Sequence, residues 1–110
     1  MDRIELMDRY IKRIVNEGGD NNFVIFEDKN TGKFIQYAGT KGDPVLICDI
    51  PFHQLTPEEE DALIEMGFTK GEISYQALVD YEDAAELADE IFTEIFNLQD
   101  YKLKVELNLE

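Results

Sequence analysis

Apolar residues recur at three- and four-residue steps at the start of the chain: Ile4, Met7, Ile11 and Ile14, with Val15 alongside. That spacing puts one apolar stripe on a helix. Asp2 is placed to cap it, with Glu5 three residues on, and Gly18-Gly19 ends it. Arg9, Lys12 and Arg13 sit toward its C-terminal half, where positive charge suits the helix dipole. The periodicity then changes. Residues 23–28, 33–38 and 45–50 read as strands, separated by Asn30-Thr31-Gly32 and by Gly39-Thr40-Lys41-Gly42-Asp43-Pro44. Those separators are turn chemistry and predict an antiparallel meander, which Pro51 stops.

Thr56-Pro57-Glu58-Glu59 combines an N-cap, a proline at the first helical position and a glutamate at the third. The short helix it starts carries Ala62, Leu63 and Met66 and ends at Gly67. Residues 72–79 alternate through Ile73, Tyr75 and Ala77 and predict a fourth strand. From 80 or 81 to about 97 runs the longest helix, with Ala84, Leu87, Ala88, Ile91 and Ile95 on one stripe that Phe92 and Phe96 widen. Such a wide stripe suits the main cover of a sheet. Finally Tyr101, Leu103, Val105, Leu107 and Leu109 alternate with Lys102, Lys104, Glu106 and Asn108, the pattern of a half-buried strand. The order αβββαβαβ predicts a single α+β domain over residues 1–110. Its antiparallel sheet consists of the three-stranded meander plus two further strands, with helices mainly on one face.

Register determines what each face of the meander shows. If Phe26 opposes Ile35 and Val24 opposes Tyr37, one face is wholly apolar and continues into Leu46, Cys48 and Ile50. A slip of one residue would bring Gln36 into that face, so the first register is preferred. The opposite face then holds Phe23, Ile25, Phe34, Ala38, Val45 and Ile47, interrupted by Glu27, Gln36 and Asp49. It is too apolar to be left in water and too polar for a deep interior. Burial stabilises a large apolar side chain by about 1.5–3 kcal/mol, so a cover is expected. Three covers are open: the first helix, a second copy of the chain, or a different protein. In the last two cases Phe23, Ile25, Phe34, Val45 and Ile47 are the partner-binding residues.

Hydrophobic residues make up 44 % of the 110-residue chain, enough for a real core. Ten Lys and Arg against 25 Asp and Glu give a formal charge of -15. This argues against binding nucleic acid or an anionic membrane, both of which call for cationic contacts. The charge is unevenly placed. Residues 1–41 hold seven acids and seven bases, whereas 42–110 hold 18 acids against Lys70, Lys102 and Lys104. No apolar run reaches the roughly 20 residues of a membrane span, and the N-terminus lacks a signal-peptide pattern. With a single cysteine there is no internal disulfide, so a reducing cytoplasmic setting is the default expectation.

The run Lys33-Phe34-Ile35-Gln36-Tyr37-Ala38-Gly39, followed by Val45-Leu46-Ile47-Cys48-Asp49-Ile50-Pro51, resembles the strands of YbjN-like proteins, which share the type III secretion chaperone-like fold. The helix near Thr56, Gly67-Phe68 and the Ala-rich helix further on are similar as well, so the resemblance covers most of the chain. It implies an α+β chaperone-like domain, often dimeric, that binds other proteins and catalyses nothing. No binding residue is carried over from it, and the charged final strand departs from its pattern. A partial resemblance to ubiquitin-associated domains rests on Met66-Gly67-Phe68, Ala77-Leu78 and Ala84-Ala85. The interval from Leu78 to the alanine pair is too short for that three-helix bundle. A helix C-cap with Gly67 in the left-handed conformation and Phe68 packing back explains the same residues.

Signatures of catalysis are sparse. Cys48 falls on the core face, where a thiol is inert filling. His53 follows Pro51-Phe52 in a loop near Asp49, without a partner nucleophile, and Ser74 lies in no nucleophile elbow. A Cys/His zinc site needs more ligands than one cysteine and one histidine. Asp28-Lys29-Asn30-Thr31-Gly32 faintly echoes a calcium loop, but its Gly comes at the fifth place rather than the sixth and no Glu stands at the twelfth, and a hairpin turn explains the same residues. No catalytic, cofactor-binding or metal-binding residue is assigned. The expectation is a small, acidic, non-enzymatic protein-binding module of chaperone-like or adaptor type, a homodimer through the mixed sheet face. The alternative is an acidic inhibitor or DNA mimic acting through Glu58, Glu59, Glu60, Asp61, Glu86, Asp89, Glu90 and Glu94.

Overall fold

In the computed structural model, which describes residues 2–110, helix α1 (Arg3–Asn16) leads into β1 (Asn22–Asp28), β2 (Phe34–Gly39) and β3 (Val45–Pro51). A 3₁₀ turn (Phe52–Gln54) precedes α2 (Pro57–Glu65), β4 (Thr69–Lys70) and β5 (Ser74–Asp80). Helix α3 (Tyr81–Glu90) continues as a π turn (Ile91–Ile95), and β6 (Leu103–Asn108) follows. The six strands form one antiparallel sheet in the order β4-β5-β3-β2-β1-β6. The expected α+β architecture is thus present, with the short β4 and the 3₁₀ turn added.

Local chemistry accounts for the boundaries. Asp2 accepts a hydrogen bond from the Glu5 N–H and starts α1. Thr56 and Glu59 cap each other's backbone N–H at the start of α2, a complete capping box with Pro57 at the first position. At the end of α2, Gly67 has φ +99° and the Phe68 N–H returns to the Leu63 carbonyl, burying the Phe68 ring. This is the helix C-cap, and β4 and β5 follow where a three-helix bundle would need helix. α3 closes when the Phe96 N–H reaches the Ile91 carbonyl, five residues back, and Asn97 takes φ +57°.

The meander has the preferred register: Phe26 opposes Ile35 and Val24 opposes Tyr37. These four, with Leu46, Cys48 and Ile50, have no exposed surface and form the floor of the core. Both long helices lie on that floor. The Tyr37 hydroxyl donates to the Ala84 carbonyl of α3, at 2.8 Å. Met7, Ile11 and Ile14 of α1 are fully buried, and Ile14 lies over Gly39 together with Leu46. A Cβ at Gly39 would come within 2.5 Å of Leu46 Cδ2 and 3.0 Å of Ile14 Cγ2, so this glycine permits close approach of helix and sheet. The first helix is therefore a second cover for the core face, and the reverse face has none from it.

Two expectations about strands need adjustment. Ile73 does not extend the fourth strand: β5 starts at Ser74, and Ile73 stands in the preceding turn, 78 % exposed. Tyr75 and Val79 of the same parity do face the core. Tyr101 precedes β6 rather than belonging to it, because its ring stacks on Phe92 with centroids 4.4 Å apart and Arg3 packs across it. The charged final strand finds its place at the sheet edge, paired with β1.

Candidate protein-docking face

Cross-strand pairing arranges the reverse face into rows. Leu78 opposes Ile47, Ile47 opposes Ala38, and Ala38 opposes Phe23, giving an apolar row across β5, β3, β2 and β1. The next row is Gln76, Asp49, Gln36 and Ile25. Polar and apolar positions are thus sorted across strands, although each strand taken alone mixes them. This follows from period-two alternation combined with the register that buries the other face.

Val45 and Ile47 are each 41 % exposed and Leu78 76 %. An open groove of about 620 Å³ runs along the row, lined by Phe23, Ala38, Val45, Ile47 and Leu78. A second recess, of about 390 Å³, lies beyond and is bounded by Thr69 and Gln76. Ile47 and Leu78 line both, so they form the ridge between them. Asp20 and Asp43 stand on the rim of the larger groove. In the polar row, Asp49 Oδ1 accepts from Ser74 Oγ at 2.5 Å and Gln76 Nε2 at 2.9 Å. Those bonds tie β3 to β5 beside the ridge.

Of the five residues expected to bind a partner, Phe23, Val45 and Ile47 share the groove. Ile25 is half-buried at the end of the polar row. Phe34 stands apart, its ring 6.0 Å from that of His53, while its backbone exchanges two hydrogen bonds with the Gln54 side chain. Sequence reasoning missed Leu78, the most exposed member of the row. Its signal was the parity of Tyr75, Ala77 and Val79, which sends Leu78 to the other side once β5 is placed against β3.

Of the groups considered for chemistry, Cys48 and Asp28 are buried. Burial pushes the Cys48 thiol up to about 12. Asp28 is buried, and its carboxylate accepts from the Thr31 N–H, the Thr31 hydroxyl and the Lys102 N–H. The calcium-loop echo is a turn organised around that carboxylate, with Gly32 at φ +78°. His53 is exposed beside Phe34. Among the described residues no three His, Cys, Asp or Glu side chains converge on a metal position, and no helix is long and apolar enough to cross a membrane.

The acidic residues fall into two groups. Glu59 closes the capping box and pairs with Lys33 at 2.9 Å, Glu60 accepts from the Tyr75 hydroxyl, and Asp89 accepts from the Tyr101 hydroxyl. Glu58, Asp61, Glu86, Glu90 and Glu94 are exposed on α2, α3 and its π turn.

Comparisons with protein-family models, with curated proteins and with solved structures returned no match for this chain.

Proposed function

We propose that this protein is a non-enzymatic, chaperone-like binding module whose uncovered sheet face docks another protein. The carrying observation is the row Leu78–Ile47–Ala38–Phe23 on the face that neither α1 nor α3 takes. Covering Val45, Ile47 and Leu78 contributes about 1–2 kcal/mol each once desolvation is complete. Asp20 and Asp43 stand at the edge of the groove. With a net charge of -15 on the chain, the acids of this groove favour a basic occupant. The fitting occupant is an extended or helical segment of a partner, apolar on one side and flanked by Lys or Arg. The resemblance to YbjN-like proteins points the same way.

A peptide of alternating leucine and lysine is a suitable probe. In an NMR titration the expected amide shifts cluster on Phe23, Val45, Ile47 and Leu78 and vanish in Ile47→Asp. The exposed acids of α2 and α3 support a second reading, an acidic inhibitor or phosphate mimic. That reading predicts shifts on the helices, insensitive to Ile47→Asp and fading with salt.

A further inference from the structure

The two edges of the sheet are unlike. On one side β4 has only two residues and pairs with Tyr75 and Gln76 alone, leaving a short stepped edge with Leu78 of β5 exposed beyond it. On the other, β6 has six residues. Backbone bonding shows which of its groups face outward. The Lys102 and Glu110 carbonyls accept from Lys29 N–H and Asn21 N–H, while the Lys102 and Glu110 N–H groups donate to the Asp28 and Asn22 side chains. Even-numbered residues therefore turn their backbone toward β1. By strand alternation Leu103, Val105 and Leu107 present N–H and C=O to the outside. We infer that this edge pairs with the same edge of a second copy, joining two six-stranded sheets into one.

The strand determines its own register. Antiparallel self-pairing must oppose odd to odd residues, because only those carry outward groups. Centring the two-fold axis on Val105 opposes Leu103 to Leu107 of the second copy and Lys104 to its Glu106, each contact occurring twice. Shifting the axis one residue either way opposes Lys104 to Lys104 or Glu106 to Glu106. Like charges directly opposite are destabilising, so the central register is preferred to its two neighbours. Lys104 and Glu106 are exposed, and they would meet as non-hydrogen-bonded pairs, where side chains approach closest. On the other face the half-buried Leu103, Val105 and Leu107 would form a continuous apolar seam over the joint core.

Charge selects this edge as well. Residues 42–110 contain only three bases, and two of them, Lys102 and Lys104, lie here. Within the acidic part of the chain, this edge is where bases stand beside an acid of the same strand, Glu106. The inference is independent of the proposed docking face and leaves both copies of that face open on one side of the joined sheet.

Sedimentation of the full chain at micromolar concentration tests it. The expected result is a dimer whose affinity falls about tenfold or more in Lys104→Glu and in Glu106→Lys, since each replaces two opposite-charge contacts by two like-charge ones. The double variant Lys104→Glu/Glu106→Lys restores the dimer, because the pairs are exchanged rather than lost. Val105→Pro removes an outward N–H and gives a folded monomer by circular dichroism. A native chain that stays monomeric overturns the inference, and Lys104 then serves to keep the edge unpaired. A dimer that survives these single variants but dissociates in Ile47→Asp overturns it too, and places the contact on the sheet face.

Discussion

Two buried polar side chains secure the ends of β1. Asn22 donates to the Ile14 and Glu17 carbonyls and accepts from the Gly19 and Glu110 N–H groups, tying the end of α1 to the segment after β6. Asp28 does the same work at the opposite end. Burial alone would raise its carboxyl pKa, but hydrogen bonds from Lys102, Thr31 and Asn30 together hold it below the ordinary value. A depressed folded pKa contributes stability above the unfolded value and loses it as pH falls through the folded one. Asp28→Asn is therefore expected to cost about 1–3 kcal/mol near neutrality. Its deficit should narrow as pH falls below about 4, where the unfolded chain takes up the proton, and close once pH passes the lower folded pKa. Urea midpoints across that range check this, and a deficit independent of pH would contradict it. Cys48 yields a second expectation. With its thiol buried and pushed up to about 12, it should resist a thiol reagent in the folded protein and react on unfolding.

Among the elements, α2 depends most on its caps, since Leu63 is its one fully buried residue within the helix. Thr56→Ala removes the acceptor for the Glu59 N–H and should destabilise by about 1 kcal/mol. Thermal unfolding should show a fall of several degrees, and no fall would mean the cap is not formed. The elements that the sequence made legible are those in which one physical rule dominates. Thr56-Pro57-Glu58-Glu59 announced α2, and the all-apolar face fixed the register of β1, β2 and β3. Others depended on contacts distant in sequence. Ile73 continued an alternating pattern yet falls outside β5, because the Gly71 N–H bonds the Ser74 carbonyl and turns the chain there. Tyr101 matched the period of β6 but stacks on Phe92 instead. Leu78 stayed hidden because its exposure depends on β5 pairing with β3 across an intervening helix.

For the whole molecule the decisive feature is an asymmetry between two faces of one sheet. Both long helices pack on the face carrying Val24, Ile35, Tyr37 and Leu46, and the sequence alone could not say whether α1 would go there or to the back. Its stripe of Met7, Ile11 and Ile14 fits either place. The close approach at Gly39 decides in favour of the core face. The -15 charge is likewise a property of the whole surface, but its exposed acids crowd α2 and α3, while the groove stays apolar with an acidic rim. Binding through the groove should accordingly lose only the contribution of its acidic rim at higher ionic strength, whereas binding through the helices should fade altogether. The central claim, that the back of the sheet is surface and its front is core, is tested most directly by thermal unfolding of Ile47→Asp beside Ile35→Asp. The account predicts that Ile47→Asp melts cooperatively within about 4 °C of the parent. Ile35→Asp, with an unpaired charge in the interior, should lose its cooperative transition. Loss of the transition in Ile47→Asp would show that the back of the sheet is interior and contradict the docking face.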